Sequence, residues 1–97
     1  MTKQELETIS LGGEPTVLGE GFICGKPWIF RATLWRWMFA VSQRGGKYRM
    51  LFSNGFDWEI LLFERAAPRE ENEIMSLDEA RALIEKCAAE FKEERKK

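Results

Sequence analysis

The composition of the chain changes sharply at Pro68, and this change limits the folds that the sequence can adopt. Before Pro68, short runs of Trp, Phe, Ile and Val alternate with turns that contain Gly and Pro, which is typical of consecutive antiparallel strands. After it, Ala, Leu, Glu, Lys and Arg dominate, and these residues favour a helix. We therefore predict one α+β domain over residues 1–97, in which a curved antiparallel sheet of about four to five strands precedes one amphipathic helix packed on one face.

The helix is predicted for residues 76–94. Ser76 and Glu79 have the spacing of a capping box, in which the serine hydroxyl accepts the amide proton of Glu79. An apolar stripe with helical periodicity follows, and we expect the sheet to bury it. The members of this stripe are Leu77, Ala80, Leu83, Ile84, Cys87, Ala88 and Phe91.

The sheet is predicted for residues 16–65. A hairpin is expected around Gly25-Lys26-Pro27, where two apolar runs are separated by turn residues. A single strand from Trp28 to Ser42 would extend about 50 Å at about 3.3 Å per residue, which is too long for a domain of this size. We therefore predict a bend or bulge near residues 32–34.

Alternation along the later strands assigns their side chains to two faces. We predict that residues 37–41 pair with residues 48–52 across the loop 43–46, and that the next strand begins near Trp58 after an odd-length turn. A two-residue turn at Asn54-Gly55 would instead bury two carboxylates, which costs more than an unfavoured turn type. The face toward the helix then contains Trp37, Phe39, Val41, Tyr48, Met50, Phe52, Trp58, Ile60 and Leu62.

The opposite face of the predicted sheet is also apolar, and this supports the leading hypothesis on function. A sheet that is apolar on both sides is normally covered on both sides, and one helix covers only one of them. Three covers are open to it: residues 22–31 folded over the sheet, the N-terminal segment, or a second copy of the chain. Among oligomers, a symmetric twofold dimer is the commonest. We therefore expect a non-enzymatic protein-interaction module that binds itself or another protein. The predicted interface residues are Met38, Leu51, Leu61 and Phe63.

The charge distribution supports an alternative. Between Gly21 and Phe56 there are six Lys and Arg residues and no Asp or Glu, although the whole chain carries a net charge of −1. Aromatic rings interleaved with cations suit nucleic acid, because bases stack on rings and cations neutralise phosphates. The simpler interpretation is that the rings form the core and the cations face acidic residues or water. The candidate nucleic-acid residues are Trp28, Arg31, Trp35, Arg36, Arg44, Lys47 and Arg49.

Enzymatic activity is not expected, and neither a catalytic residue, a cofactor site nor a metal site is predicted. The sequence has no His, and its two cysteines, Cys24 and Cys87, form no CxxC pair. The glycines between Gly19 and Pro27 depart from both phosphate-binding fingerprints, so we interpret them as turns. The predicted loop 66–75 is acidic, and consecutive acids in a loop are usually just solvated.

The remaining expectations concern location and the first residues. Neither a signal peptide nor an apolar run long enough to span a membrane is visible, which favours a cytoplasmic protein without membrane contact. Thr2 and Glu5 resemble a second capping box, so residues 1–15 are predicted to contain a short helix. The alternative is a strand, because Ile9 and Leu11 also alternate.

Overall fold

The computed structural model describes residues 6–12, 16–43, 56, 58–69 and 74–95 of the 97-residue chain. Five strands form one antiparallel sheet in which every strand pairs with its neighbours in sequence, in the order β1 to β5. The predicted α+β class, with an antiparallel sheet and one helix after it, is confirmed. The elements are β1 Leu6–Gly12, β2 Val17–Ile23, β3 Lys26–Ala32, β4 Arg36–Ser42, β5 Leu61–Pro68 and α1 Leu77–Arg95.

The turn between β2 and β3 consists of two residues that both have positive φ. Cys24 has φ 50° and Gly25 has φ 80°. Two such residues give a turn whose twist matches that of the flanking strands, and Gly adopts the conformation at little cost. The hairpin predicted around residues 25–27 is confirmed, although β3 already begins at Lys26, opposite Ile23.

The bend predicted near residues 32–34 is a complete reversal of the chain between β3 and β4. The amide of Thr33 donates to the carbonyl of Arg36 at 2.8 Å, which closes the turn. The Thr33 hydroxyl also accepts from the amides of Trp35 and Arg36, each at 3.2 Å. Because side chain and backbone both fix it, the turn holds Trp35 in a defined place at the end of the sheet.

The main core lies between α1 and one side of the sheet, which we call the helix face. Alternate residues of β2 to β5 point to it, and the rings of Trp28 and Phe39 stack there at 5.6 Å. Phe63 joins them from β5 and meets Phe91 of α1 edge-on at 5.5 Å. At roughly 25 cal/mol for each Å² of apolar surface buried, these side chains dominate the stability of the domain.

The helix begins as its sequence predicts. The Glu79 amide donates to the Ser76 hydroxyl at 3.1 Å, and Met75 before it is buried. The predicted burial of one stripe residue is wrong. Leu77 is 45 % exposed, because it lies in the first turn of the helix, outside the contact with the sheet. The stripe residues buried in the structure are Ala80, Ile84, Cys87, Ala88 and Phe91.

The first error in the predicted placement of the strands concerns β5. Trp58 and Leu62 are expected in the core under the helix, but they are 46 % and 43 % exposed, whereas Phe63, expected on the opposite face, is 5 % exposed within that core. The register explains the error, because β5 begins only at Leu61 and the pairing shifts between Val41↔Phe63 and Ser42↔Leu61. Leu62 is the extra residue of this bulge, and an extra residue reverses the alternation that follows it.

Two further predictions about the sheet are wrong. The short helix preferred for the first residues is wrong and the alternative strand is confirmed, because residues 6–12 form the edge strand β1. Pairing with β2 and the packing of Leu6 and Leu11 on the core outweigh the local capping signal. Strand β4 lies between β3 and β5, so it has no side left for the predicted pairing with residues 48–52. Residues 48–52 themselves lie outside the described part of the chain.

Candidate binding surface at the open end of the second face

The side of the sheet away from α1, which we call the second face, is divided into a covered and an open half. In the covered half, Phe56 packs on Ile29 and Ala40 in a small apolar cluster. In the open half, Arg31 lies opposite Met38, and both point to the same side as Ile29 and Ala40. The second face is therefore partly closed by the chain itself, which leaves a smaller free surface than the sequence predicts.

Two arginines occupy neighbouring strand positions in the open half. Arg36 precedes Met38 by two residues on β4, so it is the diagonal neighbour of Arg31, at roughly 7–8 Å between such positions. Both arginines are exposed, and neither forms an ion pair with another described residue. The carboxylates on this face, Glu20 and Glu64, lie one row further in, at the two ends of the Ile29–Ala40 row.

An exposed ring lies on the turn that leads into Arg36. Trp35 is 65 % exposed at the tip of the turn between β3 and β4. Its carbonyl accepts from the amide of Arg69 at 2.6 Å, and the Arg69 guanidinium donates to the carbonyl of Thr33 at 2.8 Å. The turn is thus tied to the chain that follows β5, which keeps the ring at the edge of the sheet. We call Arg31, Trp35, Arg36 and Met38 the arginine–tryptophan patch.

Sequence reasoning finds only part of this surface. Of the candidate nucleic-acid residues, Arg31, Trp35 and Arg36 come together, whereas Arg44, Lys47 and Arg49 lie outside the described residues. Trp28 is wrong as a stacking residue, because it is fully buried on the helix face and its indole N–H donates to the carbonyl of Phe22 at 3.2 Å.

Sequence reasoning also missed Arg69, which supports the turn. It lies far from the turn in sequence and outside the segment without acids. No signal in the sequence could have found it, because Pro68 lies opposite Arg36 only once β5 has paired with β4.

The residues predicted for a protein interface are dispersed. Phe63 is not on the second face, since the bulge turns it into the core against Phe39 and Phe91. Met38 is half-buried beside the Phe56 cluster. Leu61 lies opposite Ser42 on β4 and is 36 % exposed, and Leu51 lies outside the described residues.

The charged contacts between sheet and helix lie on the helix face, away from the patch. Arg65 donates to Glu90 at 3.1 Å and to Glu94 at 2.5 Å, and its guanidinium stacks on the Phe63 ring at 4.2 Å. The hydrogen bond with Glu94, followed by that with Glu90 and the attraction of both carboxylates, raises the pKa of Arg65. Arg65 therefore acts as a link between β5 and α1.

Among the described residues we find no reactive thiol at Cys87, no metal site and no membrane-spanning helix. Burial is the largest cause that raises the pKa of the Cys87 thiol, to about 11, which makes it a poor nucleophile. No group of three or more Cys, Asp or Glu among the described residues could hold a metal ion. Within the same part of the chain, no helix is long and apolar enough to cross a membrane.

Comparison with known proteins does not assign the chain to a family. No protein-family model matches the sequence, and no curated protein and no solved structure matches it either. Any statement about function must therefore be based on the surfaces described above.

Proposed function

We propose that this protein is a non-enzymatic binding module that contacts single-stranded nucleic acid through the arginine–tryptophan patch. The observation that carries the proposal is the position of Trp35, a ring that is 65 % exposed and held on a fixed turn beside two exposed guanidinium groups. A cytoplasmic location, predicted from the sequence, is part of the same proposal.

The patch offers the two contacts that a single strand requires. A base that stacks on the Trp35 ring gains about 1–3 kcal/mol, and any base can do so because every base has a flat face. Arg31 and Arg36 can each donate to a phosphate on the adjoining backbone. Since a base within a duplex cannot present its face to the ring, the patch favours single strands over duplexes.

The charge of the whole chain limits how strong this binding can be. The net charge of −1 gives little long-range attraction for a polyanion, so affinity must come from the patch. Two phosphate contacts on a single strand correspond to a slope of about −1.4 in a plot of log K against log salt concentration. We therefore expect weak binding that decreases moderately as salt is added.

Fluorescence anisotropy with a labelled oligothymidylate tests the proposal. Trp35→Ala should weaken binding at least fivefold, whereas Trp58→Ala should leave it within twofold, because Trp58 is also exposed but lies toward the opposite end of the sheet. The double variant Arg31→Ala/Arg36→Ala should also weaken binding and reduce the salt slope. Its matched control is Arg81→Ala/Lys86→Ala, which removes the same charge from the exposed side of α1.

The proposal fails if the wild-type protein shows no saturable binding in dilute buffer. It also fails if Trp58→Ala is as damaging as Trp35→Ala, or if the two double variants behave alike, since binding would then reflect overall charge.

A second candidate function is self-association, the leading hypothesis from the sequence. The observation that favours it is the pair of exposed apolar side chains Trp58 and Leu61 at the start of β5. Sedimentation equilibrium should then give a mass near twice 11.3 kDa, and Leu61→Lys should return a folded monomer. A monomeric mass for the wild-type protein at high concentration would rule it out.

A further inference from the structure

A cleft of about 370 Å³ opens at the end of the sheet opposite the patch. Three strand ends meet there, because β3 begins at Lys26, β4 ends just before Gln43 and β5 begins just before Leu62. The last turn of α1 closes the fourth side. We call this space the basal cleft, and its described lining residues are Lys26, Gln43, Leu62, Phe91, Glu94 and Arg95.

The apolar part of the basal cleft is formed by Leu62 and Phe91. Phe91 is fixed by its edge-on contact with Phe63, so its ring is a rigid wall. Leu62 is the extra residue of the β5 bulge, and although it is 43 % exposed its side chain lines the cleft. Bulges re-aim side chains and are common beside binding sites.

The polar part of the basal cleft carries an uncompensated positive charge. Glu94 is the one carboxylate among its described lining residues, and Arg65 already binds it at 2.5 Å. Neither Lys26 nor Arg95 forms an ion pair with a described residue, and Arg95 rests over the Phe91 ring at 5.7 Å. Two cations that have no ion-pair partner among the described residues therefore border an apolar wall.

We propose that the basal cleft binds a small carboxylate that has a flat or branched apolar body. The body would pack between Leu62 and Phe91, and the carboxylate would accept hydrogen bonds from Lys26 and Arg95. The volume lies within the range of pockets that hold small ligands. The negative end of the α1 dipole opposes an anion here, but a partial charge counts for less than two charge-assisted hydrogen bonds.

The backbone around the basal cleft is in place before any ligand arrives. Lys26 follows directly on the rigid turn at Cys24 and Gly25, and it pairs with Ile23. The amide of Gln43 donates to the carbonyl of Ile60 at 2.7 Å, which fixes the wall between β4 and β5. Binding then has to order only the Lys26 and Arg95 side chains and no backbone, which keeps more of the interaction energy as affinity.

Titration of the full chain with 2-naphthoate, followed by amide chemical shifts in NMR, tests this proposal. The acid should bind saturably and shift the amides of Lys26, Gln43, Leu62 and Arg95. The neutral analogue 2-naphthamide should bind at least tenfold more weakly. The variant Lys26→Gln/Arg95→Gln should bind the acid at least tenfold more weakly than the wild type. Leu62→Asn should lower the affinity for both probes at least threefold.

The matched control is Arg81→Gln/Lys86→Gln, which should bind the acid within twofold of the wild type. The proposal is overturned if the shifts occur elsewhere, if acid and amide bind equally, or if the control loses as much affinity as the cleft variant. Because the basal cleft and the arginine–tryptophan patch lie at opposite ends of the sheet, Lys26→Gln/Arg95→Gln should keep its oligothymidylate binding. Failure of one proposal therefore leaves the other intact.

Discussion

The helix face and the second face come from alternating residues of the same strands, yet they are covered by very different parts of the chain. On the helix face, a helix of 19 residues covers rings from several strands. On the second face, Phe56 covers Ile29 and Ala40 and leaves Arg31 and Arg36 in water. The element that lies over each face, together with the alternation of the strands, decides which of the described apolar positions become core and which stay exposed.

The largest effect should come from two neighbouring residues that point to opposite faces. Phe39→Ala should lower the free energy of unfolding by about 3–5 kcal/mol, because it leaves a cavity between Trp28 and Phe63. Met38→Ala should cost less than about 2 kcal/mol, since Met38 is only half-buried. Urea unfolding of both variants measures the difference, and equal losses would contradict the contrast between the faces.

The covered half of the second face should give an intermediate effect. Phe56→Ala should cost about 2–3 kcal/mol, less than a ring of the main core, because Phe56 packs on fewer described apolar side chains, those of Ile29, Met38 and Ala40. The Phe56 ring lies 5.0 Å from that of Trp58, so tryptophan fluorescence should change as well. A loss as large as that of Phe39→Ala would mean that the second face is a full core.

The burial of Cys87 on the helix face should also affect the pH dependence of stability. The pKa of Cys87 is about 11 in the folded chain, against an ordinary value of 9.0. Below pH 9 the thiol is protonated in both states; between pH 9 and 11 the unfolded chain releases its proton first, so stability falls by on the order of 2 kcal/mol. This loss of stability between pH 9 and 11 should be absent in Cys87→Ala and present in Cys24→Ala. Urea unfolding at several pH values measures it.

The smallest effect should come from the charged link between β5 and α1. Arg65→Gln removes the ion pairs with Glu90 and Glu94, whose side chains are 40 % and 50 % exposed. Water screens such pairs, so the expected loss is about 0.5–1 kcal/mol at low salt. It should shrink further in 1 M salt, where screening acts over about 3 Å. Arg81→Gln on the same helix is the control, and an equal loss there would argue against a specific link.

The features that the sequence predicts well depend on residues close to one another in the chain. The capping of α1 by Ser76 and the alternation of Trp37, Phe39 and Val41 are patterns within a single element, and the structure contains both. The turn near Gly25 is likewise local. Such patterns survive folding because no distant contact has to be known in order to interpret them.

The features that the sequence predicts badly depend on partners far away in the chain. Phe63 was placed on the wrong face because the bulge at Leu62 appears only when β5 pairs with β4. Strand β1 was predicted as a helix because its partner, β2, is not part of the local signal. The candidate site divides in the same way: Arg31 and Arg36 could be found by charge, whereas the burial of Trp28 and the contact of Arg69 with Thr33 could not.

The strand order has a consequence for how the chain reaches its native state. Short turns join β2, β3 and β4, so these hairpins close at little entropic cost, and local contacts of this kind form fast. Adding β5 requires closure of the long connection from Gln43 to Ile60, and α1 follows β5. An intermediate with only the first hairpins would expose Trp28, Phe30 and Phe39 until the helix docks. The step most vulnerable to aggregation is therefore a late one, in which the chain still lacks its cover.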